Sequence, residues 1–490
     1  LSIHWPIIRR CLAAPTRIAA VDDTRTWRAI DILAVALHLA GEIERRSETR
    51  TVGVLLPTGA GFAAAALAGW ITGRVVVPLN YLLKQEELQY VIDDCETDLV
   101  LSAGVLLEHL GYAPACRSLV DVQKLDFRKV PDLRIPATAE DDDLAILLYT
   151  SGTSGKPKGV MLTHDNIASN IRQIERHVTI TNRDIVMGVL PQFHSFGLTV
   201  LTLLPLTLGL KVIYTARFLP PKIVRLIREH RPTMMIGIPS MYNALLTVKD
   251  AAAEDLSSLR YTVSGGEPLP QAVFDRFKER FGITLNEGYG LTESSPVSNW
   301  CRPFEFRRGS VGKPLPDIDQ RIIEPSSGRV LGPNQDGEVI MRGPNIMQGY
   351  FKLPEETAKT LDKDGFLHTG DQGRFDAEGH LSITGRIKEM IIGGGANVFP
   401  REIEEVLNQH PAVSASAVIG VMDESRGELP WAWVEMKEGE AFSEPALRSW
   451  CRERLAGYKV PREIQQIEKL PRNPTGKIMR RELRKLAPAS

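Results

Sequence analysis

From Thr51 to Leu101 short apolar runs alternate with helical stretches of about ten residues, and this alternation constrains the fold more than any other feature of the chain. TVGVLLP from Thr51, VVVPL from Val75 and TDLVLS from Thr97 predict strands, while GFAAAALAGW from Gly61 and EELQYVIDDC from Glu86 predict helices. A strand followed by a helix cannot turn straight back as a hairpin. It crosses over and returns parallel, giving β-α-β units. The rhythm resumes at LAILLY from Leu144, DIVMGVL from Asp184, KVIYT from Lys211, TMMIGIP from Thr233 and RYTVSGG from Arg260. Helices are predicted between them, such as PKIVRLIREH from Pro221 and PQAVFDRFKERF from Pro270. After about Pro303 glycine and proline become frequent, and pieces such as GEVIMRG predict a smaller β-rich region. From about Met390 a further unit begins, with a helix at PREIEEVLNQH, strands at SASAVIGV and PWAWVEMK, and a helix at EPALRSWCRERL. It is long enough for a core of its own.

The length of 490 residues suits two to four structural units. Lys and Arg total 59 against 60 Asp and Glu, so no bulk charge draws the chain to nucleic acid or to an anionic membrane. The five cysteines, Cys11, Cys95, Cys116, Cys301 and Cys451, form no C-x-x-C pair. That argues against a disulfide framework or a zinc site and for a reducing, cytoplasmic setting. The longest charge-free run, Ile185 to Leu210, contains Pro191, Gln192, His194, Ser195 and Pro205. It therefore predicts a strand, a loop and a buried helix rather than a membrane span. The opening stretch lacks a charged-then-apolar signal pattern, and whether Leu1 is the true start is open.

Leu147 to His164, LLYTSGTSGKPKGVMLTH, is the most informative segment. An apolar strand enters a loop of small and hydroxylated residues, Thr150, Ser151, Gly152, Thr153, Ser154 and Gly155, followed by Lys156 and Lys158. Small residues let backbone N–H groups approach a polyphosphate, hydroxyls add donors and lysines add charge. A helix is expected to follow, with His164, Asp165 and Asn166 near its cap. Pro157 stands where a Walker loop needs Ser or Thr, so a P-loop NTPase is disfavoured.

This loop resembles that of the adenylate-forming superfamily, which comprises acyl-CoA synthetases, stand-alone adenylation domains and beetle luciferases. Five further motifs follow in the same order as in that superfamily: SGGEPLP from Ser264, NEGYGLTES from Asn286, HTGD from His368, GRIKEMI from Gly385 and PRNPTGKI from Pro471. The resemblance spans Val52 to Leu483. It implies an α/β chain with a large N-terminal domain, residues 1–386, of stacked α/β/α subdomains plus a small β-barrel-like region. A small mobile α+β C-terminal domain, residues 387–490, would follow, with its hinge at Lys388. The implied reaction has two steps: a carboxylate attacks the α-phosphate of ATP, and a thiol then displaces AMP from the acyl-adenylate. ATP, Mg²⁺ and CoA, or the pantetheine of an acyl carrier protein, are the implied cofactors and co-substrates.

By the same resemblance Lys477 bridges the two anions of the first step, and Thr150 and Glu293 hold Mg²⁺. Asp371 takes the ribose hydroxyls and Arg386 the ribose or phosphate. Gly265, Gly266 and Glu267, with Asn286, Gly288 and Tyr289, form the adenine slot, and Glu287, Gly290 and Thr292 of the same motif are nucleotide-binding. The loop around Gly394 and Gly395 faces the pantetheine arm in a second pose of the small domain.

The acid slot is expected along PQFHSFGLTVLTLLPLTLG, with His194 either orienting or gating the acid, or simply half-buried. Amino-acid-activating relatives carry an Asp in an F-D pair where this chain has Phe193-His194, so an amino acid is disfavoured. Acetate-specific relatives carry a Trp at Gly290, and a glycine there is expected to leave room for a longer acid. Each buried methylene contributes about 0.8 kcal/mol, which favours a medium- or long-chain fatty acid over shorter ones. An aryl acid stays open. FHSFG also resembles acyl carrier protein synthetases, and Arg480, Arg481, Arg484 and Lys485 could form a basic patch for such a carrier. A rival of another class is a catalytically degenerate nucleotide-binding protein of the same fold. No nucleic acid and no membrane span are expected, and the oligomeric state is open, a homodimer being one option.

Overall fold

The computed structural model describes residues 2–151, 156–393, 396–423, 427–472 and 478–487. Among these the strands form four sheets. The first two are the product of the strand–helix alternation. An eight-stranded sheet runs Val297–Trp300, Asn286–Gly290, Tyr261–Ser264, Met234–Gly237, Ile185–Gly188, Lys211–Tyr214, Ile18–Val21 and Thr26–Arg28. It is parallel except at its two edges. A seven-stranded sheet runs Gly349–Tyr350, Pro157–Thr163, Leu144–Ser151, Val75–Pro78, Thr51–Leu55, Leu99–Ser102 and Ser118–Asp121. The helix Ala60–Ile71 is apolar around its whole circumference and buried at every residue but Gly61, as a helix enclosed on all sides must be.

One local expectation changes. Between the phosphate loop and the helix lies a strand, Pro157–Thr163, antiparallel to Leu144–Ser151. The two strands pair as far as Ser151 and Pro157, and Val160 and Leu162 sink into the core beside Ile146 and Leu148. The helix itself, His164–His177, starts where expected. Thr163 Oγ1 accepts from Asn166 N at 3.1 Å and Asn166 Oδ1 accepts from Thr163 N at 2.9 Å, a reciprocal cap whose loss costs about 1 kcal/mol. Ile185 to Leu210 folds as strand Ile185–Gly188, a loop, a wide helix Phe196–Leu203 and a short helix Leu204–Leu208. Among the described residues no helix is long and apolar enough to cross a membrane.

The β-rich region is a four-stranded antiparallel sheet, Asp319–Ile323, Gly337–Arg342, Leu367–Phe375 and Leu381–Arg386. A single turn, Ile387–Glu389, leads from it into the last unit. There the helices Pro400–Asn408 and Glu444–Arg452 bury Ile403, Leu407, Leu447 and Cys451 against Val413–Asp423 and Gly427–Met436. The main hydrophobic core ends at Leu381 in sequence and this second core starts at Ile391.

Candidate active site

The carboxyl ends of the parallel strands Met234–Gly237 and Tyr261–Ser264 and of the adjacent Asn286–Gly290, the hairpin of the seven-stranded sheet and the four-stranded sheet open on one cavity of about 1890 Å³. Crevices at strand carboxyl ends are where α/β sheets bind ligands. Of the residues singled out from the sequence, Thr150, Lys158, His194, Gly265, Gly266, Gly288, Tyr289, Gly290, Thr292, Glu293, Arg386 and Lys388 line it. Gly152, Thr153, Ser154, Gly155, Gly394, Gly395 and Lys477 lie outside the described residues. Ser151 ends its strand paired with Pro157. Lys156 is exposed, with its ammonium 5.2 Å from the centre of the Tyr90 ring.

Three residues expected to bind the nucleotide do not line the cavity. Asn286 is 2 % exposed, and its amide nitrogen donates to the carbonyls of Thr262 and Thr284 at 3.4 Å. Glu287 is buried and accepts from Arg308 Nη1 at 2.7 Å; burial raises its pKa and Arg308 opposes that. Glu267 is half-buried and feels the charge of Arg480.

On one flank of the cavity Asp371 is 3 % exposed and lies between two cavity-lining groups. Tyr289 Oη donates to Asp371 Oδ2 at 2.7 Å, and Arg386 Nε sits 2.8 Å from Oδ1. Burial and the Asp371 charge together hold the Tyr289 phenol well above its ordinary pKa, so it stays a donor. The hairpin that carries Asp371 is pinned by Glu338, which accepts Gly370 N at 3.1 Å and meets His368 Nδ1 at 3.1 Å.

On another part of the wall Thr150 pairs in register with Lys158 at the root of the phosphate loop. Lys158 Nζ donates to Glu356 Oε2 at 2.6 Å, and Lys359 holds Glu356 Oε1 at 2.9 Å. The hydrogen bond from Lys158, then that from Lys359, lowers the Glu356 pKa to about 2. Tyr350 Oη donates to Glu293 Oε1 at 2.8 Å. Glu338, Tyr350 and Glu356 escaped the sequence reading: GEVIM registers only as a strand, and no spacing connects residues 57 or 198 positions apart.

His194 and Phe196 line the third part of the cavity with Ile236, Val263, Leu291, Pro296 and Val297. His194 Nε2 is shut from water with no hydrogen-bond partner among the described residues. Burial alone lowers its pKa to about 4, so the ring is neutral near pH 7. Ser195 Oγ and Thr292 Oγ1 are 3.2 Å apart. Gly290 lines the cavity, and the neighbouring strand crowds its backbone. A Cβ built there would lie 1.7 Å from the Pro296 carbonyl oxygen, so the close approach of the neighbouring strand demands glycine. At Gly265 a Cβ would meet the Phe196 ring at 3.0 Å, which lets the aromatic ring settle against the backbone.

Of the expected basic patch, Arg480 leaves the surface while Arg481, Arg484 and Lys485 stay exposed. Arg480 is turned inward, bridging Glu389 at 3.1 Å and Glu404 at 2.8 Å, and Glu482 neutralises Lys485 at 2.7 Å. Desolvation of a guanidinium is offset by two carboxylates at that site, whereas an open patch offers neither.

Comparison with known proteins follows the same lines. The family model "AMP-binding enzyme" matches residues 9–351, and "AMP-binding enzyme C-terminal domain" matches residues 402–477. The chain is 34% identical over 500 residues to a long-chain-fatty-acid–CoA ligase of Bacillus subtilis, covering 92% of this chain and 89% of that protein. It is also 34% identical over 493 residues to a feruloyl-CoA synthase of an Amycolatopsis species, covering 98% of each. Among solved structures, ATP-bound MatB from Rhodopseudomonas palustris superposes with a TM-score of 0.90 at 29% identity over 99% of both chains. The o-succinylbenzoate CoA synthetase of Bacillus subtilis, solved with ATP and a magnesium ion, gives 0.87 at 30% identity over 98% of this chain and 99% of that one.

Proposed function

We propose, starting from the fact that this chain belongs to the AMP-binding enzyme family of adenylate-forming ligases, that it activates a medium- or long-chain fatty acid with ATP and passes the acyl group to CoA. At the level of the family the activity is ATP-dependent ligation of an acid to CoA, with ATP, Mg²⁺ and CoA taking part. The identity of the acid is our own reading.

One observation carries it. Residues from all six motifs meet around a single cavity, and each brings the chemistry its position requires. An acid oxygen attacks the α-phosphorus, the bond to the β-phosphate oxygen breaks, and pyrophosphate leaves. The thiol sulfur then attacks the acyl carbon, loses its proton, and AMP leaves. Neither step needs a covalent enzyme intermediate; both need anions brought together and their repulsion offset. Tyr289 and Arg386 hold Asp371 for the ribose hydroxyls. Lys158 faces the polyphosphate. A magnesium ion would be held by the Thr150 hydroxyl and the Glu293 carboxylate with phosphate oxygens. These are hard oxygen donors on one wall of the cavity, and Tyr350 fixes the carboxylate through Oε1. When bound, that ion neutralises charge on the phosphates.

Lys477 is assigned the role of drawing the carboxylate and the α-phosphate together. Supporting this, Pro471 and Ile478, which flank it in sequence, both line the cavity, and Arg472 pairs with Ile478. The small domain, 387–490, would pivot at Lys388 between the two half-reactions and offer the loop around Gly394 and Gly395 to the pantetheine arm. The fatty-acid reading rests on the apolar wall formed by Phe196, Ile236, Val263, Leu291, Pro296 and Val297 and on the neutral His194 beside it. An aryl acid is the second reading, favoured by the feruloyl-CoA synthase relative at equal identity. The five cysteines are free thiols, which fits a cytoplasmic setting.

Pyrophosphate release measured over fatty acids of graded length and over cinnamic acids, with CoA and acyl carrier protein as alternative acceptors, tests the reading. Turnover confined to aryl acids would replace the fatty-acid proposal. Lys477→Ala should lower adenylate formation by about 10²–10³-fold while thioester formation from supplied acyl-adenylate persists. Loss of both half-reactions together would remove the lysine from its assigned step.

A further inference from the structure

The phosphate side holds a charge that the reaction itself does not require. Glu356 lies in the cavity wall, 2.6 Å from the ammonium of the very lysine assigned to the polyphosphate. We propose, on the strength of the functional reading above, that Glu356 is a positioning residue that occupies Lys158 as a phosphate oxygen would, so that the polyphosphate and this carboxylate compete for one ammonium.

The backbone sets this meeting. Gly349–Tyr350 pairs with Val160 and Met161 of the strand that carries Lys158, and Phe351 N donates to Gly159 O at 2.8 Å. The helix Pro354–Thr360, which bears Glu356, follows at once and is fastened back by Tyr350 N donating to Thr357 Oγ1 at 2.9 Å. The carboxylate is therefore held opposite Lys158 by a sheet edge, not by the chance meeting of two long side chains. The lysine side chain is 15% exposed and that of Glu356 36%. Such a pair keeps the ammonium aimed into the cavity, yet is screened enough to yield to a ligand carrying several charges. Lys359, on the other oxygen, helps keep Glu356 ionised. The ring of Tyr350 lies 5.4 Å from Lys158 Nζ while its hydroxyl reaches Glu293, so Lys158 and the proposed cation ligand share one support.

A surface pair without function would affect folding alone. A competitor affects ligands that carry β- and γ-phosphates and spares those that do not. Calorimetric titration of the full chain with Mg-ATP, Mg-pyrophosphate and AMP separates the two. In Glu356→Gln the first two ligands should bind about two- to fivefold tighter, the gain should shrink as salt rises, and AMP binding should not change. Glu355→Gln removes the same charge one position away and should leave all three unchanged. Glu356→Asp keeps the charge but withdraws it by one methylene, and should fall between; it also serves if Glu356→Gln folds poorly. Unchanged or weakened ATP binding in Glu356→Gln, equal tightening for AMP, or the same effect from Glu355→Gln would each overturn the proposal. If the wild-type chain releases pyrophosphate with an acid and the tightening is absent, this inference alone falls. If the wild type binds no ATP, the functional reading falls and takes the inference with it.

Discussion

On the adenosine side of the cavity a carboxylate that is 3 % exposed takes a phenol at 2.7 Å and a guanidinium at 2.8 Å, whereas on the phosphate side Lys158 and Glu356 meet with one partner 36% exposed. The first arrangement cannot release a partner without stranding a buried charge, which is costly. The second is screened by water and can exchange its partner at little cost. On the proposed assignment, the part of ATP common to substrate, adenylate and AMP would meet a fixed frame. The part that leaves as pyrophosphate would meet charges free to change hands.

The most direct way to break this contrast is Asp371→Ala. It removes the acceptor of both Tyr289 and Arg386, and each hydrogen bond to a charged group is worth about 1.5–3 kcal/mol. We expect the KM for ATP to rise about 10–100-fold and AMP binding to weaken in parallel, with a lower melting temperature. A change confined to pyrophosphate binding would reverse the assignment of the two sides.

The acid slot sharpens the contrast, because it resembles the fixed side without carrying charge. Burial holds His194 at about 4 against an ordinary 6.5. The unfolded chain binds the extra proton first as pH falls. The contribution to stability is therefore complete above 6.5 and is lost progressively as pH drops toward 4. By pH 5 the loss is on the order of 2 kcal/mol. Urea unfolding at pH 7.5 and pH 5 should show this sensitivity reduced by that amount in His194→Gln. His164, also lowered to about 4, keeps its own share in both proteins. Equal acid sensitivity in the two would mean that water reaches the slot.

Tyr350→Phe should have the smallest effect. It deletes one hydrogen bond to Glu293 at the exchangeable side, about 1 kcal/mol. The Mg²⁺ concentration for half-maximal pyrophosphate release should rise about fivefold, with little change in melting temperature. If the change in melting temperature dominates, Tyr350 supports the fold rather than the cation ligand.

Much of the fold is legible because it is periodic. Thr51 to Leu101 alternates in a way that only crossovers satisfy, and the parallel sheets follow. The site is legible where its residues are contiguous, as at HTGD or from Gly288 to Glu293. The inward turn of Arg480 was not legible, because a run of basic residues reads alike whether it faces water or the carboxylates of Glu389 and Glu404. The strand Pro157–Thr163 was hidden by the glycine and lysines that precede its apolar part.

The sequence by itself determined the alternating layers, the order of the motifs and the chemical type of each group, since these depend on residue identity and on neighbours a few positions away. The tertiary structure alone decided which of these groups touch. Tyr289 reaches Asp371 across 82 residues and Lys158 reaches Glu356 across 198. It also brought the Pro296 carbonyl so close to Gly290 that no Cβ fits there. Such partnerships are set by strand register and by the face from which a side chain leaves its sheet, and neither quantity is written in a local pattern.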